Sequence, residues 1–172
     1  HTFAAVDAAL ELRRRGVRPA DVRKVRVETY TTATQVAGNP DPATAFEAKF
    51  SIRYCVAAAL TLGAVRLRAF APAALHDRKL RDLMERIEVT ADPEFDRRYP
   101  GQRAARVTIE AGTELAATRH TRKGDPDDPL TDDELREKFT ECVAAELGDT
   151  AATELGEALW RLPRLADVRE IP

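Results

Sequence analysis

The chain is 172 residues long, 44% hydrophobic and 33% charged, with a formal net charge of −2. That balance describes an ordinary globular protein with a sizeable core and excludes a disordered or fibrous one. It also argues against a nucleic-acid partner, because Asp7 and Glu11 offset the Arg13–Arg15 cluster and leave no basic surplus to displace counterions from phosphates.

No stretch approaches the roughly 18 uninterrupted apolar residues of a membrane span, and the N-terminus lacks the basic start and apolar run of a secretion signal. Cys55 and Cys142 lie far apart in apolar helical patterns. Both read as small core residues of a reducing compartment, with no disulfide, so the cytoplasm is the expected location. His1 stands directly before a helical pattern with no methionine ahead of it, as in a chain cut from something longer.

In chain order, Phe3, Val6, Ala9 and Leu10 recur at helical spacing, with Arg13–Arg15 and Gly16 at the end. Val22–Thr31 alternates apolar and charged residues, the pattern of a strand with one wet face. Gly38-Asn39-Pro40-Asp41-Pro42 breaks the chain. A capping box of Thr44 and Glu47 opens a long helix, Phe46–Leu62, which Gly63 ends. A shorter helix is expected over Ala74–Arg86, followed by strands at Ile87–Ala91, Ala104–Ala111 and Glu114–Thr121 that read as an antiparallel meander. Thr131 and Glu134 form a second capping box before a helix to Leu147, and Thr150–Leu162 is a final helix carrying Trp160. The expectation is a single α+β domain over residues 1–172, with an antiparallel sheet of about four strands covered by helices on one face.

Nucleotide-binding and nucleophile-elbow motifs are absent. A calcium loop starting at Asp125 would need glycine and glutamate where Leu130 and Arg136 stand. Two remote cysteines cannot hold an iron–sulfur cluster, and His76 and His120 have no second histidine at metal spacing. Neither a metal nor an organic cofactor is expected.

On a wheel of about 100° per residue, Ile52, Cys55, Val56 and Ala59 of the long helix share one apolar arc suited to the sheet. Phe46, Phe50, Tyr54 and Ala57 occupy another sector. Two readings follow. Either the helix is sandwiched inside its own domain with Tyr54 making an internal hydrogen bond, or the second face lies at a domain boundary and the Tyr54 hydroxyl points into a cleft.

The string Phe46-Glu47-Ala48-Lys49-Phe50-Ser51-Ile52-Arg53-Tyr54-Cys55-Val56-Ala57-Ala58-Ala59-Leu60 resembles the central helix of the smaller domain of the MmgE/PrpD family. His1-Thr2-Phe3 with Asp7-Ala8-Ala9, and Gly124-Asp125-Pro126 with Pro129-Leu130-Thr131 and Lys138-Phe139, resemble the same family in the same order. The family includes 2-methylcitrate dehydratase, cis-aconitate decarboxylase and an iminodisuccinate epimerase, cofactor-independent enzymes of small polycarboxylates. The resemblance implies a C-terminal lid domain that supplies Tyr54 and His1 to a site whose other acid–base residues belong to a preceding helical domain. It implies, as partners, that helical domain in the same or a separate chain, a polycarboxylate substrate, and an open option of homo-oligomerisation. The chain by itself is then expected to be inactive. The alternative is a stand-alone binding or interaction module that docks through the Phe46, Phe50 and Tyr54 face.

Overall fold

In the computed structural model, which describes residues 1–170, helix α1 (Phe3–Arg14) buries Ala4, Ala5, Ala8, Ala9 and Leu12, and Arg13 and Arg14 occupy its negative end. Ile171 and Pro172, the end of the expected 1–172 range, lie outside the described residues. Strand β1 (Lys24–Thr29) follows, with Val25, Val27 and Thr29 buried and Lys24, Arg26 and Glu28 partly exposed. Helix α2 (Thr31–Val36), which no sequence signal announces, leads to Gly38. An added Cβ there would sit 2.0 Å from the Thr34 carbonyl oxygen, so only glycine fits this return.

The long helix expected over 46–62 is two helices. α3 (Ala45–Lys49) begins at the Thr44–Glu47 capping box and stops at Phe50, and α4 (Ile52–Leu62) restarts with Ser51 as its N-cap. The buried Ser51 hydroxyl donates to the Asn39 carbonyl at 2.6 Å and accepts from the Tyr54 amide at 3.2 Å. The Ile52 amide donates to the Ala37 carbonyl at 2.9 Å. The Ala37–Asn39 turn thus takes up backbone and side-chain groups at the junction, which is why the helix breaks there. Eight of the eleven α4 residues are buried, so the helix is enclosed on nearly all sides.

The single helix expected at 74–86 is likewise divided. A 3-10 turn at Leu67–Phe70 precedes α5 (Pro72–Leu75), and Asp77 caps α6 (Arg78–Met84) by accepting from the Lys79 and Leu80 amides. β2 (Ile87–Ala91), α7 (Pro93–Arg98), β3 (Ala105–Ala111) and β4 (Thr113–Arg119) complete the sheet region.

The four strands lie in the order β2-β1-β3-β4. The α+β class and the strand number agree with the sequence reading, but the all-antiparallel sheet and the β2–β3–β4 meander need correction. β1 stands between β2 and β3, parallel to the first and antiparallel to the second. The chain reaches β2 by a crossover through α2–α6, which returns it in the direction of β1, so the two can pair only in parallel. One face is wet, with Lys24–Glu88, Arg26–Glu110 and Arg106–Glu28 ion pairs across neighbouring strands. The other carries helices, α1 against β3 and β4 and α4 against β2.

The described residues form two compact units, His1–Asp128 and a second from Pro129 onward. The sheet belongs to the first. In the second, the Thr131–Glu134 capping box opens α8 (Asp132–Leu147), which packs on α9 (Asp149–Trp160) with the Arg136 guanidinium 4.3 Å from the Trp160 ring centroid. Cys142 is exposed on α8, contrary to its reading as a core residue, because α8 buries no residue fully; Cys55 is buried.

The junction at Ser51 is testable. Ser51→Ala removes the α4 cap and leaves the Asn39 carbonyl short of a donor, and it should cost about 1–3 kcal/mol in a urea unfolding experiment with an unchanged m-value. A loss below about 0.5 kcal/mol would mean that the junction is held by other contacts.

Candidate functional site

The site is built where β1 ends. The buried Thr29 hydroxyl donates to the Ala104 carbonyl at 2.8 Å, and the β1–β3 ladder stops at Thr29 opposite Ala105. Tyr30 then leaves the sheet, 1% exposed, with its ring stacked on Tyr99 at 4.6 Å. Its phenol oxygen lies 2.9 Å from Nδ1 of His1, a hydrogen bond whose donor depends on the imidazole tautomer. His1 is half-buried beside α1, so one ring nitrogen is engaged by Tyr30.

Two arginines act on this pair. Burial pushes the Tyr30 phenol above its ordinary value; Arg103 pulls it back, Tyr99 raises it and Arg122 lowers it. Arg122 lies over the Phe3 ring at 5.7 Å and its Nε donates to Asp125 at 2.8 Å. The loop bearing Arg122 is tied to α1, because the Lys123 amide donates to the Asp7 carboxylate at 2.8 Å and Arg119 pairs with Glu11 at 3.3 Å. Burial raises the Asp7 carboxyl above the usual carboxylate range, and the Lys123 amide opposes that rise. Tyr30, Tyr99, Arg103 and Arg122 escaped the sequence reading. What joins them is strand register and a loop closure, neither of which leaves a local pattern.

Tyr54 is placed elsewhere. It is 0% exposed, and its hydroxyl donates to the Ala69 carbonyl at 2.5 Å beneath the Leu67–Phe70 turn. Phe70 stacks on its ring at 6.1 Å and Arg81 lies 6.0 Å from the ring centroid. Burial drives the phenol up to about 12. Of the two readings of Tyr54, the structure agrees with the internal hydrogen bond and corrects the open cleft: within this unit the hydroxyl is sealed. The helix break is part of the reason, since Phe46 (71% exposed) and Phe50 (42%) lie on and just after α3 and do not extend the Tyr54 face along one helix.

The structure also does not bring Tyr54 to His1. Successive helical residues point about 100° apart. The next side chain, Cys55, is buried and its thiol donates to the Ala48 carbonyl at 3.4 Å, with the N-terminus and Thr2 close enough to act on its charge. Burial pushes that thiol up to about 12, which makes it a poor nucleophile. His76 and His120 are exposed, and among the described residues no group of three or more His, Cys, Asp or Glu side chains could hold a metal.

A mixed four-stranded sheet with helices on one face and a His–Tyr hydrogen bond at the end of an inner strand define an α+β domain with a candidate polar site at that strand end. Residues 1–162 match the MmgE/PrpD C-terminal domain, and the chain belongs to that family. It is 31% identical over 134 residues to the cis-aconitate decarboxylase-like protein oryM of Aspergillus oryzae, a match that covers 76% of this chain and 27% of that protein. The chain thus spans little more than a quarter of the length of that relative.

The sealed Tyr54 has a measurable consequence. An unfolded phenol ionises near 10, whereas Tyr54 in the fold holds its proton to about 12. Between those values the unfolded state has released a proton that the native state retains, so stability falls as pH rises. Tyr54→Phe should remove that part of the decline, seen as a flatter unfolding free energy between pH 10 and 11.5. An identical slope in both proteins would show that the phenol is not shielded.

Proposed function

We propose that this domain acts as the lid of a MmgE/PrpD lyase or isomerase of small polycarboxylates, with chemistry of the kind a 2-methylcitrate dehydratase performs. The observation that carries the reading is the His1–Tyr30 hydrogen bond where the inner strand β1 ends, with the charges of Arg103 and Arg122 felt at the phenol. Removing or delivering a proton on carbon next to a carboxylate needs a group that exchanges protons near neutral pH and positive charge where enolate-like charge develops. An imidazole meets the first need and the two guanidinium groups meet the second. Such acid–base chemistry requires no electron carrier.

In this proposal a helical domain, in the same polypeptide or in another chain, supplies the remaining acid–base groups, in keeping with the small share of the relative that this chain covers. Tyr54 contributes directly only if the Leu67–Phe70 turn releases its hydroxyl; otherwise it supports α4 from within. A second reading, a stand-alone interaction module, draws on the exposed Phe46 and Phe50, whose rings lie 5.1 Å apart.

The test uses the chain alone and then joined to a family helical domain, with cis-aconitate and 2-methylcitrate followed by NMR. The chain alone should shift the His1 ring resonances without product forming. The joined protein should turn over one of the two, and His1→Ala should lower that rate by about 100-fold or more. Full activity in the His1→Ala protein would refute the role of His1. Product from the chain alone would refute the need for a second domain.

A further inference from the structure

We infer that Arg103 is the residue that anchors a carboxylate of the substrate beside the His1–Tyr30 pair, and so selects a polycarboxylate over a monocarboxylate. This rests on the polycarboxylate reading above and deepens it.

Position comes first. The β1–β3 register ends with Thr29 opposite Ala105, and the Thr29 hydroxyl reaches the carbonyl of Ala104, so the backbone of Arg103, one residue before Ala104, lies beside the end of β1 from which Tyr30 departs. The short loop before it is held at both ends. Tyr99 stacks on Tyr30 at its start, and buried Ala104 accepts the Thr29 hydroxyl at its end. The Gln102 amide donates back to the Arg98 carbonyl at 2.9 Å. Arg103 is therefore carried on a fixed backbone while its side chain is exposed, an arrangement that lowers the ordering cost of gripping a ligand.

Charge comes second. The basic side chains nearest in the fold already have anionic partners: Arg106 lies within 4 Å of Glu28, Asp92 and Glu94, Arg122 donates to Asp125, and Arg119 pairs with Glu11 and Asp128. Among the described residues Arg103 has no ion pair, and yet its charge is felt at Tyr30. Asp96, the nearest acid before Arg103 in the sequence, is occupied by the Thr31 amide and hydroxyl, both at 2.7 Å. An unpaired guanidinium next to a His–Tyr pair offers a flat fork of donors that matches a carboxylate in two parallel hydrogen bonds. A substrate with two or more carboxylates can place one there and present the carbon beside another to His1. A monocarboxylate cannot do both.

The experiment titrates the chain with cis-aconitate, acetate and inorganic phosphate while the His1 ring signals are followed by NMR, with thermal midpoints checked for each variant. The expected result is saturable binding of cis-aconitate and little response to acetate. Arg103→Gln should weaken cis-aconitate binding about tenfold or more, Arg103→Lys should recover part of it, and Arg23→Gln, at the other end of the sheet, should leave it unchanged. Wild-type affinity in Arg103→Gln, with His1 still responding, would overturn the role of Arg103 and leave the polycarboxylate reading standing. No response of His1 to cis-aconitate in the wild type would overturn both. Phosphate binding as tight as cis-aconitate, with the same loss in Arg103→Gln, would make this a general anion site and overturn the selectivity.

Discussion

The buried hydrogen bond from the Thr29 hydroxyl to the Ala104 carbonyl governs how strand β1 ends, and the site follows from that ending. A buried hydroxyl or carbonyl left unpaired costs about 1–3 kcal/mol, so this bond holds the last rung of the β1–β3 ladder in one register. Beyond it Thr31 is fixed from the other side, its amide and hydroxyl both donating to Asp96. Tyr30 lies between these two clamps with little freedom. Its ring settles on Tyr99 and its hydroxyl meets His1. A strand end clamped in this way is a rigid support for polar groups, which a loop of the same length would not be.

The same logic explains why α4 serves the core first. Its arc of Ile52, Cys55, Val56 and Ala59 is buried, but Ala57, Ala58 and Leu60 are buried as well, because α1, α6 and β2 pack around the helix. A tyrosine in such a helix must find an internal partner for its hydroxyl, and Ala69 provides it. Turning that hydroxyl outwards would leave the Ala69 carbonyl in need of a new donor and open the Phe70 stack. Cys55, one position on, gives its thiol hydrogen to the Ala48 carbonyl, so the polar groups of Tyr54 and Cys55 are both satisfied inside the unit.

Much of this was legible because much of it is local. The capping boxes at Thr44–Glu47 and Thr131–Glu134, the alternation in β1 and the basic end of α1 are each set within a few residues, and the structure repeats them. Apart from the local Asp77 cap that divides the 74–86 helix, the misreadings are non-local. Ser51 breaks the long helix by bonding to Asn39, twelve residues back, and the strength of that competitor is invisible to a pattern of apolar residues. The parallel β1–β2 pair depends on where a long crossover returns, which strand periodicity does not encode. His1 was reached only through family resemblance. The backbones of Tyr30 and Arg103, which no motif marks, are brought near each other because the Thr29 hydroxyl ties Ala104 to the end of β1.

A net charge of −2 says nothing about the His1 edge, because the basic groups of the wet face and of the 119–128 loop are cancelled by neighbouring acids, leaving Arg103 as a local surplus. That surplus bears on the proton state of the pair. Burial keeps the Tyr30 phenol neutral at physiological pH in spite of the two arginines, so it retains a proton to donate. When it donates to Nδ1, the neutral imidazole must carry its own proton on Nε2. The ring is then oriented through Nδ1, and Nε2 is left to meet a ligand. In the other tautomer Nδ1 donates to the Tyr30 oxygen and Nε2 carries the free lone pair, so in the proposed function it would take a proton and leave the ring an imidazolium. The donor in the His1–Tyr30 hydrogen bond therefore decides which nitrogen holds the proton, so the proposed proton chemistry depends on the strand end that delivers Tyr30 to His1.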